Sequence, residues 1–154
     1  MKLDLDDQRV DQLLRSWGVP YSWGAGQARD VAAVRDGAAP PVGLKGGRGW
    51  DCSGFAQAAL AFLGLLPANA PDRTAAGLFG ITRAIPIEDA RLGDLVFYGA
   101  SGRISHVMVC IGHGACLGAS GGGSATNGDN PRAFVDAKPL LYRSDFRGVR
   151  RMMP

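Results

Sequence analysis

The chain has 154 residues, and its 17 basic and 14 acidic side chains give a formal net charge of +3. With 46% hydrophobic and 20% charged residues it can bury a core, which excludes a mainly disordered chain. The small net charge and the aromatic content of 8% do not favour nucleic acid as the main ligand. The 23 glycines and 9 prolines predict long loops and many turns.

The sequence predicts neither a secretory signal nor a membrane span. Residues 1–7 contain three aspartates and no apolar stretch, which is unlike a signal peptide. The apolar, uncharged stretch at residues 52–66 stops at Pro67 and is shorter than the roughly 20 residues that cross a bilayer. The three cysteines are not spaced as a disulfide scaffold. We therefore expect a protein made in the cytoplasm, without membrane insertion and with reduced thiols.

Helices are predicted in the first half of the chain. Four apolar residues fall on one helical face before Gly18, namely Val10, Leu13, Leu14 and Trp17. Residues 28–35 could form a short helix, whereas the rest of 25–49 is typical of a long loop that serves as a lid or a docking surface. The apolar residues 50–66 predict a buried helix with Asp51 at its N-terminus.

Strands are predicted in the second half, after a loop with one short helix at residues 67–90. They are expected at residues 94–98, 105–111, 115–120, 140–143 and 149–152. His113 and Gly114 predict a hairpin turn, and residues 121–130 a glycine-rich loop. In the second strand His106, Met108 and Cys110 share one face. Helices followed by a meander of strands predict a single α+β domain, residues 1–154, with N-terminal helices packed on an antiparallel sheet.

Cys52 is the candidate nucleophile. It lies at the start of the predicted helix, where unpaired N–H groups and the macrodipole favour a thiolate. A thiol nucleophile needs a base, and His106 at the start of a predicted strand can face that helix terminus. The alternative is a small buried cysteine and a hydrogen-bonded core histidine.

A zinc site is disfavoured. His106, Cys110, His113 and Cys116 are closely spaced in the sequence, and zinc accepts such ligands. Two strand residues four positions apart are separated by about 13 Å, however, which is too far for one ion. We predict no metal and no other cofactor.

Four motifs in this order resemble the NlpC/P60 family of cell-wall cysteine peptidases. They are PYSWG at residues 20–24, DCSG at 51–54, LGDLVF at 92–97 and SHV at 105–107. The resemblance covers about residues 17–120. It implies a papain-like core and hydrolysis of an amide bond in peptidoglycan stem peptides, of the γ-D-glutamyl endopeptidase type, with those peptides as the main partner.

The resemblance also implies roles for individual residues. It makes Cys52 the nucleophile and His106 the base, and it places Tyr21 by the oxyanion site. In some members the positions matching Asp51 and Ser53 hold the free amine of the substrate's terminal L-Ala. Two further aromatic residues, Trp23 and Trp50, either line the groove or belong to the core, and Trp23 is our candidate for substrate binding.

One position departs from the family pattern. The family usually has a third polar residue on the strand after the base, where it orients the imidazole. Counting from His106, this position falls on Gly118, which has no side chain. Ser120, two residues further on the same face, is the first substitute. Asn127, Asp129 or a water molecule are the alternatives.

The segment at residues 117–123 and the later segment at 142–146 resemble members encoded by phages and gene-transfer agents. This resemblance implies a component of a virion or particle tail, with other tail proteins as partners and the particle as the route to the wall. A catalytically inactive structural tail component with the same fold is the alternative. Intact Cys52, His106 and Tyr21 favour the enzyme.

Overall fold

Six antiparallel strands form one sheet at the centre of the protein. The computed structural model describes residues 5–40, 48–126 and 128–154. The strands are β1 (Thr82–Ile85), β2 (Leu95–Tyr98), β3 (His106–Gly112), β4 (Ala115–Ser120), β5 (Phe134–Pro139) and β6 (Phe146–Met152). Their order across the sheet is β1-β6-β2-β3-β4-β5, so β6 lies between β1 and β2. The expected α+β fold with an antiparallel sheet is confirmed.

The helices pack mainly on one face of this sheet. They are α1 (Leu5–Leu14), α2 (Val31–Asp36), α3 (Cys52–Phe62) and α4 (Ala75–Gly80), with short 3₁₀ turns at Ala28–Asp30 and Ile87–Asp89. Helix α3 contacts β3 and β4 on one side, and α2 with its preceding turn on the other. Every residue from 54 to 60 is therefore buried. No helix in the described ranges is long and apolar enough to cross a membrane.

Both faces of the central strands are buried. Phe97, Val107 and Val109 belong to the cluster that packs against α3. Met108 and Cys110 lie with Tyr98 in a second cluster on the opposite face. The predicted alternation along β3 is therefore confirmed, and β3 begins with His106 at the edge of that second cluster.

Several predicted elements need correction. Helix α1 ends at Leu14, and Trp17 lies in the following turn with 53% of its surface exposed, instead of on a buried helical face. Residues 140–143 are a turn after β5 and not a strand. Strands β1 and β5 were not predicted. The β5 sequence contains Asp136, Lys138 and Pro139, which are depleted in strands but tolerated at a sheet edge.

Candidate active site

Cys52 is the first residue of α3, and Asp51 caps this helix. The Asp51 carboxylate accepts hydrogen bonds from the backbone N–H of Gly54 at 2.7 Å and of Gly24 at 3.1 Å. A Cβ at Gly54 would lie 2.1 Å from the Ala25 carbonyl oxygen, so only glycine lets this segment lie directly on the helix start. The cap therefore joins the segment that follows Tyr21 to the helix that carries the candidate nucleophile.

The fold brings Cys52 and His106 into one cleft of about 240 Å³. It is lined by Tyr21, Trp23, Cys52, Ser105, His106, Ser120, Gly121, Gly122 and Arg143. Packing of α3 on β3 places the N-terminus of the helix beside the first residues of the strand. The backbone N–H of Val107, next to the histidine, interacts with the Cys52 sulfur. The predicted juxtaposition of thiol and imidazole is confirmed.

Tyr142 orients the imidazole. Its hydroxyl lies 3.0 Å from His106 Nε2 and 3.3 Å from Ser120 Oγ. We had expected Ser120 to be the direct partner of His106. It instead contacts the Tyr142 hydroxyl and is one hydrogen bond removed from the histidine. Tyr142 belongs to the turn before β6, where the only sequence signal was the segment at 142–146. With Nε2 bound to Tyr142, Nδ1 is the ring nitrogen left for the sulfur.

Met108 fills the space beside Gly118. The register of β3 and β4 pairs Cys110 with Cys116, and its continuation sets Met108 opposite Gly118 and His106 opposite Ser120. A Cβ at Gly118 would lie 2.6 Å from the Met108 sulfur. A side chain at this position is therefore excluded unless Met108 moves, and the orienting group comes from another part of the chain.

Burial favours the neutral forms of both Cys52 and His106 near pH 7. It raises the pKa of the Cys52 thiol to about 11, with a further rise from the Asp51 carboxylate, which outweighs the nearby backbone N–H groups. The expected lowering of this thiol pKa is therefore wrong. Burial, followed by the Arg143 guanidinium, lowers the pKa of His106 to about 4, while Asp145 opposes this shift. A neutral imidazole is the form that can accept a thiol proton.

Tyr21 and Trp23 both lie at the cleft, as predicted. Tyr21 is 4% exposed, and burial, followed by the charges of Cys52 and Asp51, raises the pKa of its hydroxyl, which stays protonated as a donor. Gly122 allows the glycine-rich loop to lie on its ring, since a Cβ there would come within 2.2 Å of Tyr21. Trp23 is 42% exposed, whereas Trp50 is fully buried against Phe55 and belongs to the core.

Asp51 and Ser53 flank the nucleophile but are not among the cleft-lining residues. The Asp51 carboxylate is engaged by backbone N–H groups and by the Ser53 side chain. Burial raises the pKa of Asp51 to about 6 despite these hydrogen bonds. A carboxylate oxygen can accept more than one hydrogen bond, so binding of a substrate amine by this pair stays a prediction.

Arg143 follows the orienting tyrosine and lines the cleft. Its Nε and Nη2 donate to the two carboxylate oxygens of Asp145 at 2.9 and 2.7 Å. Its guanidinium also lies 5.5 Å from the centre of the Tyr98 ring. The arginine is thus held in one orientation. Its place in the cleft could not be predicted from the sequence, because the cleft residues Cys52 and His106 are distant from it in the chain.

The remaining candidates lie elsewhere. Asp129 lines a separate cavity of about 260 Å³ beside Gly18 and Pro20. Asn127 and residues 41–47 of the long loop lie outside the described residues. Within the ranges that are described, no three His, Cys, Asp or Glu side chains are grouped so that they could hold a metal ion.

Comparisons with known proteins identify relatives of this chain and of its fold. The model of the NlpC/P60 family matches residues 18–136. The peptidoglycan endopeptidase RipB of Mycobacterium tuberculosis is 38% identical over 119 residues, which are 74% of this chain and 44% of RipB. A solved RipB structure has a TM-score of 0.66 at 28% identity, covering 100% of this chain and 69% of that one. The chain thus spans less than half the length of RipB.

Two further proteins from M. tuberculosis resemble this chain. The peptidoglycan endopeptidase RipA is 36% identical over 101 residues, 65% of this chain and 19% of RipA. Its solved structures include forms mutated at a histidine and at a glutamate. RipD, described as a non-catalytic NlpC/p60 domain protein adapted to peptidoglycan binding, has a TM-score of 0.68 at 23% identity, covering 99% of this chain and 100% of that one.

Proposed function

Because this chain belongs to the NlpC/P60 family, we propose that it hydrolyses an amide bond in the stem peptide of peptidoglycan by a cysteine–histidine mechanism. The observation that carries this proposal is the cleft that Cys52 and His106 line together, with His106 Nε2 held by Tyr142. The endopeptidase names of RipB and RipA support the substrate class.

The reaction begins from a neutral thiol and a neutral imidazole. His106 Nδ1 takes the thiol proton while the Cys52 sulfur attacks the carbonyl carbon of the substrate. The oxyanion that forms is held by the backbone N–H of Cys52, which has no intrahelical acceptor at the first turn of α3, and by the Tyr21 hydroxyl. His106 carries its second proton on Nε2, which donates to the Tyr142 oxygen.

Collapse of the tetrahedral intermediate breaks the carbon–nitrogen bond. The departing amine takes the proton from His106 Nδ1 and leaves a thioester on Cys52. A water molecule then gives a proton to the same nitrogen and attacks the thioester carbonyl. Release of the carboxylic acid returns the proton to sulfur and restores both groups, so no cofactor enters the cycle.

The γ-D-glutamyl bond is the finer prediction. It rests on the resemblance of residues 20–24 and 51–54 to family motifs. In this proposal Trp23 borders the substrate groove, and Asp51 with Ser53 lies beside the nucleophile where a terminal amine would be held. Weighing the products of defined muropeptides identifies the bond that is cut.

The test uses the purified chain, purified muropeptides and mass spectrometry. The parent should give two products whose summed mass exceeds that of the substrate by one water. Cys52→Ala should lower the rate at least about a thousandfold, because nucleophile and base act as a unit. Cys110→Ala, a buried cysteine on the other sheet face, is the matched control and should retain the parent rate. Equal digestion by parent and Cys52→Ala would falsify the mechanism.

A non-catalytic role in binding is the second candidate. It is favoured by the missing side chain at Gly118 and by the existence of RipD as a non-catalytic protein of the same fold. This candidate predicts that the folded parent binds muropeptides and leaves their masses unchanged. The same experiment therefore separates the two functions.

The particle setting rests on the sequence and stays a prediction. A tail component should co-purify with phage or gene-transfer-agent particles and with their other tail proteins. Its absence from purified particles would favour a free lysin.

A further inference from the structure

Arg143 brings a permanent positive charge to the candidate active site. Among the nine residues that line the described cleft, it is the one that is cationic at every working pH. Its side chain is 36% exposed, so it is open to solvent while sharing the cleft with Cys52 and His106. A charge at this place acts on whatever occupies the cleft.

The guanidinium is also held in place before any ligand arrives. Asp145 takes two of its five N–H donors in a fork at 2.9 and 2.7 Å, and Tyr142 interacts with it from the neighbouring position. This support fixes the plane of the guanidinium and leaves further donors for another acceptor. Preorganised arginines of this kind suit carboxylates, which they bind with two parallel hydrogen bonds.

The proposed substrate offers carboxylates near the bond that is cut. A γ-glutamyl linkage uses the side-chain carboxyl, so the α-carboxyl of the same residue stays close to the scissile carbonyl. On the leaving side, a diaminopimelate residue carries a second carboxylate that lysine lacks. Amidation of the wall at either position replaces the charged carboxylate with a neutral amide.

We infer that Arg143 binds a carboxylate on one of the two residues that the scissile bond joins and makes the chain selective for non-amidated peptides. This inference rests on the proposed function and deepens it. Arg143 is then a specificity-determining residue, with Asp145 as the group that positions it.

The test compares matched synthetic tetrapeptides. One pair differs in the glutamyl α-carboxyl, free or amidated, and a second pair differs in the leaving-side residue, diaminopimelate or lysine. The parent should prefer the charged member of one pair by roughly tenfold in kcat/KM, because charge-assisted hydrogen bonds are stronger than neutral ones. Arg143→Gln should bring this ratio close to one, and the affected pair identifies which carboxylate is bound.

Two variants guard against a folding effect. Arg143→Gln combined with Asp145→Asn leaves no unpaired charge and should lose the same selectivity. Arg147→Gln, at an exposed position of β6, is the matched control and should keep the parent ratio. A ratio uses one enzyme on two substrates, so a general loss of activity does not alter it.

Binding keeps the outcome informative if no cleavage occurs. Isothermal titration of the same peptides into Cys52→Ser measures the selectivity without catalysis. Loss of the preference on removing Arg143 supports the inference even if the parent cleaves nothing, which would overturn only the proposed function. Unchanged ratios in both peptide pairs, in kinetics and in binding, overturn the inference.

Discussion

The hydroxyl of Tyr142 binds one ring nitrogen of His106 and leaves the other for Cys52, the candidate nucleophile. It lies 3.0 Å from Nε2, and Ser120 lies behind it at 3.3 Å. The hydroxyl of a neutral tyrosine can accept a hydrogen bond from Nε2–H and donate one to the Ser120 hydroxyl. Unlike a carboxylate, it places no negative charge beside the imidazole, which agrees with the low pKa of about 4 at His106.

Tyr142→Phe should lower kcat by roughly fivefold to tenfold and leave KM nearly unchanged. The lost contact is one neutral hydrogen bond, worth about 1 kcal/mol, and it acts on the imidazole and not on the substrate. Ser120→Ala, one bond further away, should have a smaller effect. Steady-state kinetics on a stem peptide measures both. A parent-like kcat in Tyr142→Phe would show that the hydroxyl does not position His106.

At the residue scale, the sequence predicted the groups that motifs carry. Cys52, His106, Tyr21 and Trp23 meet in the cleft as expected. Tyr142 could not be predicted in the same way, since it reaches the site from a turn 36 residues after His106. The predicted direction of the shift in the Cys52 thiol pKa was wrong. A helix N-terminus can be predicted from the sequence, but the burial that raises this pKa depends on the packing of distant segments.

The N-terminus of α3 contributes both to the stability of the fold and to the geometry of the candidate active site. Asp51 caps the helix and at the same time holds the segment at Gly24. Its carboxyl is half-buried, and its pKa in the folded chain is about 6, above the ordinary value of 3.8. A raised carboxyl pKa means that the folded state binds the proton more tightly than the unfolded state does.

The stability that this proton provides is complete below about pH 4 and is lost as the pH rises through about 6. Asparagine does not titrate. The free energy of unfolding of the parent, relative to Asp51→Asn, should therefore fall by on the order of 2 kcal/mol between pH 4 and pH 7. Urea unfolding at constant ionic strength measures it, with Asp36→Asn at an exposed position as the control. A difference that grows with pH would contradict the assignment.

Elements with a strong pattern were predicted and those with a mixed pattern were not. The apolar run of α3 and the alternation in β3 and β4 identify these elements, and β4 has the predicted bounds, residues 115–120. Strand β5 was not predicted because it contains charged residues and Pro139. It lies beside β4 at the edge of the six-stranded sheet, and its start also pairs with residues 18–21. Residues 140–143 have strand-like side chains, but the Tyr142 N–H donates to the Pro139 carbonyl oxygen at 3.1 Å and closes a turn.

At the scale of the whole molecule, β6 connects two parts of the sheet that no local signal links. It pairs with β1 on one side and with β2 on the other. Arg151 on β6 donates from Nε and Nη2 to the Asp94 carboxylate at 2.8 and 2.9 Å. The Asp94 side chain is only 2% exposed, so this ion pair holds β6 to the segment before β2 in a water-poor environment.

Arg151→Ala should lower the free energy of unfolding by about 3 kcal/mol, because it leaves a buried carboxylate without its cation. Arg147→Ala, on the exposed side of the same strand, should change it by less than about 0.5 kcal/mol. Denaturant unfolding measures both values. Equal stability of the two variants would show that the buried pair does not hold the sheet together.

Gly118 has a consequence for how this site can change. A glutamate introduced at position 118 alone would overlap the Met108 sulfur. The ring nitrogen with which it would form a hydrogen bond, His106 Nε2, is already bound to Tyr142. Exchanging one orienting group for the other therefore needs coordinated replacement at positions 108, 118 and 142. Single replacements along that path lose either packing or the hydrogen bond, so the two arrangements are separated by a mutational valley.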